Sequence, residues 1–245
     1  MGADRDRISQ RLGWTFFDKI YCITLDSRPD RMREAKNQFA LAGLDQRVEF
    51  IVVIKDEANP ERGIYQSHLR CLSLGLEAGA RHILVFEDDV FFRDFSEERL
   101  HQACLFLQAT SAWDAFFLGC LTNGSRQIGQ GAVVLVQYRC LAHAYAVNRA
   151  FAERIVREQW RGIPFDGLLQ SCEARYFALR PMCAFQRLTS SDNKTVWLDR
   201  LRTLCGGLTI IQRYNEIYHN NKGLILALHL AVAATAIALF LLARQ

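Results

Sequence analysis

Ile83-Leu84-Val85-Phe86-Glu87-Asp88-Asp89-Val90 decides the fold of this chain: an apolar run that ends abruptly in three adjacent carboxylates. Four apolar residues in a row fit a strand buried on both faces, the mark of a parallel or mixed sheet covered by helices. The carboxyl end of such a strand is where open α/β sheets bind ligands. Three neighbouring negative charges repel one another, and a hard divalent cation with oxygen ligands offsets that repulsion, particularly one that also holds phosphates. The alternative is a solvated acidic turn before the helix that Ser96 starts.

Working outward, Lys19 to Leu25 is a first strand, and Ser27-Arg28-Pro29-Asp30 opens a helix with proline in its first turn. Met32, Ala35, Phe39 and Ala42 line one helical face, closed by Gly43. Arg47 to Ile54 is a second strand. Leu69, Leu72 and Leu76 mark a second helix, stopped by Gly79. After the acid-tipped strand come a helix from Ser96 to Gln108, a strand from Ala115 to Leu121, and a loop at Asn123-Gly124-Ser125. Strands over 132–137 and 143–147 and a helix over 149–159 follow. This alternation predicts an α/β domain with a mostly parallel sheet and helices on both faces. The predicted divisions are a domain over 1–193, a basic linker over 194–222 and an apolar tail over 223–243.

The chain has 245 residues, half of them hydrophobic, and a formal charge of +4. No basic run is interleaved with aromatics, which argues against a nucleic-acid partner. Its eight cysteines are scattered beside apolar neighbours without metal-ligand spacing, as buried thiols in a reducing compartment are; a disulfide framework is the alternative. The N-terminus carries no signal-peptide pattern. Gly223 to Ala243 has no charged residue, and a helix of that length measures about 30 Å, the thickness of a bilayer core. Arg200, Arg202, Arg213 and Lys222 against Glu216 place the large domain on the cytosolic side of a single-pass C-terminal anchor. A buried helix, or one packed on a partner, is the other reading of this segment.

Several motifs in order resemble glycosyltransferase family 25, which holds bacterial lipopolysaccharide and lipooligosaccharide glycosyltransferases and animal collagen galactosyltransferases. They are Ile23-Thr-Leu-Asp-Ser-Arg-Pro-Asp-Arg31, Gly63-Ile-Tyr-Gln-Ser-His68, Phe86-Glu-Asp-Asp-Val90, Trp113-Asp114, His143-Ala-Tyr-Ala-Val-Asn-Arg149, Pro164-Phe-Asp166, and Gln186 with Ser191-Asp192. Tyr65 stands where the family has cysteine, and no Asp-Gly follows the second strand. The resemblance implies a GT-A fold, a sugar-nucleotide donor such as a UDP-sugar, a divalent metal (manganese or magnesium), and inversion at the anomeric carbon. It also implies a glycolipid or polysaccharide acceptor at the bacterial inner membrane.

The chemistry of the residues agrees. A departing nucleoside diphosphate needs a cation. Glu87 and Asp89 point the same way along a strand and are the candidate metal ligands. Arg28, Arg31, Ser67 and Asp88 are candidates for donor binding; the arginines alternatively belong to a solvated helix start. His68 faces the diphosphate or is a satisfied structural histidine. Asp166 is the candidate base that takes the acceptor proton, or a helix N-cap. The rival functions are a catalytically degenerate sugar-nucleotide-binding membrane protein and a phosphotransfer or nucleotidyl enzyme. The second lacks a glycine-rich phosphate loop here.

Overall fold

The computed structural model describes residues 13–44, 46–110, 112–128, 131–187 and 207–242. In chain order the elements are β1 (Lys19–Leu25), α1 (Pro29–Leu41), β2 (Val48–Val53), α2 (Pro60–Glu77), β3 (His82–Glu87), β4 (Val90–Phe92), α3 (Glu97–Ala109), β5 (Ala115–Phe117), β6 (Leu121–Gln127), β7 (Val133–Cys140), β8 (Ala144–Asn148), α4 (Arg149–Ile155), α5 (Phe165–Ser171), β9 (Tyr176–Leu179), β10 (Ala184–Gln186), α6 (Leu208–Asn220) and α7 (Lys222–Leu242).

Eight strands form one mixed sheet in the order β2-β1-β3-β8-β5-β9-β7-β6, and β10 pairs with β4 in a separate two-stranded ribbon. From the pairings, β1, β2, β3, β5, β9 and β6 run one way, while β8 and β7 run the other. Strand β3 lies between β1 and β8, so both of its edges are hydrogen-bonded and both of its faces covered. Leu84 and Phe86 pack on one face with Phe39, Leu100 and Leu107; Ile83 and Val85 pack on the other with Leu72, Tyr145 and Phe165. The period-2 alternation of a strand thus feeds two separate cores from one apolar run.

Local signals set the helix starts and stops. Asn59 caps α2 by accepting from the Arg62 amide, with Pro60 in the first turn, and Ser96 caps α3 through the Arg99 amide. Gly43 and Gly79, at φ +70° and +76°, end α1 and α2 in the left-handed region. Gly75 lets α2 sit against β3: a Cβ there would lie 2.5 Å from Ile83 Cδ1.

Two expectations change. Asn123-Gly124-Ser125 is not a loop but part of β6, which pairs with β7 through register shifts at Leu121/Thr122 and Thr122/Gly124. Turn-forming residues are accommodated there because the strand is bulged and lies at the sheet's edge. The basic linker expected over 194–222 contains a docked helix, α6. Gln212 donates to the Ala184 carbonyl at 2.8 Å, Glu216 accepts from the Met182 amide at 2.8 Å, and Asn215 both accepts from and donates to the Thr122 backbone at 2.9 Å. Apart from Leu208 its inward positions are polar, so hydropathy alone does not reveal a packed face. Ser191 and Asp192 of the last motif, and Cys205, lie outside the described residues. No disulfide joins the described cysteines, and Cys22, Cys71, Cys104, Cys120 and Cys183 are buried.

The apolar tail forms α7, and its leucines 224, 226, 228 and 230 are exposed. His229, through Nδ1, and Thr235 turn back onto the Ile225 and Ala231 carbonyls within the helix. Among the described residues no single helix is long and apolar enough to cross a membrane. Leu208–Asn220 and Lys222–Ile237 are long and apolar enough only when taken together, and they meet at a 77° bend.

Candidate active site

Strands β1, β2 and β3 are parallel and end at one edge of the sheet, while β8 begins there. The three carboxylates leave β3 at this edge, where the strand direction reverses. Each is held differently.

Asp88 turns toward β1. Thr24 donates to its Oδ2 at 2.7 Å, and an Arg31 nitrogen lies 3.6 Å from Oδ1. Thr24 is the buried polar residue among the inward side chains of β1, a signal present in the sequence. Burial raises the Asp88 pKa, with the Thr24 hydrogen bond and the arginines opposing it.

Glu87 and Asp89 share one neighbour, Gln186 at the end of β10. Its Nε2 donates to Asp89 Oδ2 at 2.9 Å and lies 3.4 Å from Glu87 Oε2. Register brings it there, because Gln186 pairs with Val90. The other Asp89 oxygen, Oδ1, is buried with no hydrogen-bond partner. Both acids are pushed up to about 8, first by desolvation, then for Glu87 by the Asp166 charge and for Asp89 by Glu87 itself. The pair is short of positive charge. An orphaned buried carboxylate oxygen beside a second carboxylate, with the Gln186 amide bridging the two, fits a hard cation such as manganese or magnesium. Among the described residues no three His, Cys, Asp or Glu side chains converge as a complete metal cage, so water and phosphate oxygens would finish the shell.

His68 sits behind Glu87, with Nε2 at 3.4 Å from Oε1, Nδ1 at 3.2 Å from the Tyr145 hydroxyl, and its ring stacked on Phe165 at 4.2 Å. Burial pulls its pKa down to about 4, so the ring is neutral at pH 7 and orients Glu87 without pairing as an ion. Ser67 donates back to the Gly63 carbonyl at 2.7 Å, within its own helix. Arg28 grips Asp30 with Nε at 3.0 Å and a terminal nitrogen at 2.8 Å. Of the four residues expected at the donor, the structure brings Arg31 and Asp88 together at the acid edge, keeps Arg28 near enough for its charge to act on Asp88 while it grips Asp30, and ties Ser67 into its own helix.

Asp166 does not cap α5; Pro164 occupies that position. Its carboxylate instead accepts from the Tyr138 hydroxyl at 2.5 Å, the Leu141 amide at 2.9 Å and the Ala142 amide at 3.0 Å. Leu141 has φ +76°, so the carboxylate holds a strained turn between β7 and β8. Both oxygens are engaged by these three donors. Tyr138, on β7, is a partner that no motif marks; Gln186, on β10, belongs to the last motif of the resemblance, but its place between Glu87 and Asp89 is visible only in the fold.

No family model and no curated protein matches this chain in sequence. Among solved structures it is similar to a protein from STIV at TM-score 0.48 and 13% identity, covering 70% of this chain and 86% of that one. It is similar to a mannose-1-phosphate geranyltransferase from Thermus thermophilus at TM-score 0.41 and 12% identity, covering 66% and 73%. It is also similar to a glycosyltransferase involved in the glycosylation of the major capsid of PBCV-1, at TM-score 0.41 and 9% identity, covering 65% and 81%.

Proposed function

We propose that this chain is a metal-dependent, inverting glycosyltransferase of the GT-A type, akin to family 25, that moves a hexose from a UDP-sugar to a glycolipid or polysaccharide precursor. The observation that carries the reading is the Glu87–Asp89 pair at the carboxyl end of β3, with one buried oxygen open to a cation. Glu87 and Asp89 would hold a divalent ion, which supplies neutralising charge to the departing diphosphate. Asp88, fixed by Thr24 and approached by Arg31, lies beside that pair on the β1 side and faces the nucleotide. His68 and Asp166 act from behind, holding Glu87 and the β7–β8 turn in place.

The tail seats the enzyme at a membrane. An apolar helix with exposed leucines loses that exposure in a bilayer, and the enzyme gains effective concentration toward a lipid-linked acceptor. The basic flank keeps the catalytic domain on the cytosolic side.

One observation favours a second reading, a sugar-nucleotide binder without turnover: the residue placed as base, Asp166, has both oxygens hydrogen-bonded. Full-length protein in detergent, screened against UDP-hexoses and other sugar nucleotides with manganese or with chelator, separates the two. Manganese-dependent release of nucleotide from one donor supports the transferase. Binding without release supports the binder, and neither binding nor release with any donor overturns both.

A further inference from the structure

Helix α6 has two unlike faces. Gln212 and Glu216 are buried and tie it to Ala184 and Met182, and Asn215 ties it to Thr122. The opposite side carries Ile210, Tyr214, Ile217 and Tyr218, which are 42%, 70%, 48% and 46% exposed. Their spacing of four, three and one places them on a single stripe. No carboxylate faces outward. The only acid of the helix, Glu216, is buried and paired with Arg213 at 3.0 Å.

The corner after α6 is well defined. The Asn221 amide and side chain both donate to the Ile217 carbonyl, at 3.1 and 2.8 Å, and the Asn221 carbonyl accepts from the Ile225 amide at 2.9 Å. Helix α7 leaves that corner at 77° to α6. Two helices nearly at right angles divide a membrane naturally: when one runs along the bilayer normal, the other lies in the plane of the surface.

We propose that the outer stripe of α6 rests on the lipid surface, with α7 entering the hydrocarbon from the corner at Asn221. This rests on the reading that the tail meets a bilayer. Tyr214 and Tyr218 sit at the headgroup level, where a ring with one apolar body and one polar tip is favoured. Ile210 and Ile217 reach the upper acyl chains. Exposed Lys222 at the corner, with no outward acid near it on α6, complements anionic headgroup phosphates.

The arrangement has a consequence for catalysis. The inner face of α6 is fixed to residues 182–184, and two residues further on Gln186 touches both Glu87 and Asp89. A surface-seated α6 therefore sets the height and tilt of the acid edge above the membrane, which a flexible tether would not do.

The test uses full-length protein reconstituted in phosphatidylcholine–phosphatidylglycerol vesicles containing a lipid with a photoreactive diazirine near its headgroup, and maps adducts by mass spectrometry. Adducts are expected on the α6 stripe as well as on α7. Ile217→Glu with Tyr214→Glu should stay vesicle-bound through α7 while losing the α6 adducts. Labelling of α7 with α6 untouched overturns the proposal and leaves the membrane reading of the tail intact, as does crosslinking of the stripe to a second copy of the chain. Protein that remains outside the vesicles and unlabelled overturns the membrane reading itself, and this proposal with it.

Discussion

The Glu87 amide donates to the carbonyl of His143 at 3.0 Å, which ties the tip of the acid strand to the first residues leading into β8. His143 follows directly on Leu141 and Ala142, whose amides are held by Asp166. Asp166 is therefore coupled to the acid pair through three consecutive backbone units as well as through its charge.

Asp166→Asn should consequently destabilise the protein. An amide has one acceptor oxygen and turns an N–H toward a donor, leaving one of Tyr138, Leu141 or Ala142 unmatched at a cost of about 1–3 kcal/mol. Tyr138→Phe should cost less, and the two changes should be non-additive because they share one hydrogen bond. Urea unfolding of the two single variants and the double variant measures this. Unchanged stability with transfer reduced roughly 10²-fold or more would restore Asp166 as the base.

Gly75→Ala carries a prediction of opposite sign to helix propensity. Alanine in a helix interior gains up to about 1 kcal/mol over glycine. Here the new methyl would meet Ile83 at 2.5 Å from Cδ1, 2.7 Å from Cγ1 and 3.2 Å from Cγ2. Ile83 is fully buried and β-branched, so it has little room to turn. Overpacking of about 1–3 kcal/mol wins, and the variant should unfold at lower denaturant. Ile83→Val, which removes Cδ1, should recover part of the loss in the double variant.

The pH dependence of stability without metal follows from the same acid edge. Glu87 and Asp89 rise from ordinary values of 4.5 and 3.8 to about 8 on folding, so the folded state binds more protons than the unfolded one between pH 4 and 8. Stability is then fullest below pH 4 as far as these two are concerned and is lost as pH rises through 8. His68, lowered from 6.5 to about 4, acts in the other direction, but its contribution is complete above pH 6.5. The window from pH 6.5 to 8.5 isolates the acids. Melting temperature in chelator should fall across it, and manganese should remove the fall. A flat profile in chelator would show that the carboxylates are solvated.

Much of this architecture was legible in the chain. The run from Ile83 to Phe86 announces a doubly covered strand, and the caps at Asn59 and Ser96 with the stops at Gly43 and Gly79 fall where turn chemistry requires. What stayed hidden has a common cause. Tyr138 and α6 act through pairings far apart in sequence, and the groups that dock them are polar, so neither periodicity nor hydropathy marks them; Gln186 stands in a motif, but its contact with both acids does not follow from it. Ser67 looked available because a motif displays residue types and not their hydrogen bonds; the Gly63 carbonyl takes its hydroxyl. The tail was legible as apolar, but the sharp corner at Asn221 was not, since Gly223 beside it reads only as the start of the apolar run.

Asp89 offers the sharpest separation of a metal site from an acidic turn. Its Oδ1 is buried without a partner, while Oδ2 accepts from Gln186. Asp89→Asn keeps the shape, removes one charge from a pair of neighbouring carboxylates, and so should leave folding intact or slightly improved at pH 8. Cation binding should suffer by at least the roughly tenfold to hundredfold that even outer-shell changes cost. Donor affinity in manganese should drop with it, because the ion bridges carboxylate and diphosphate, whereas donor affinity in chelator should be equally weak in both proteins. Calorimetric titration of UDP-hexose into wild type and Asp89→Asn, each with manganese and with chelator, gives four affinities. Only the wild type with manganese should stand apart. Four equal affinities would mean that the carboxylates at the tip of β3 hold no ion, and the metal would have no place in the reaction.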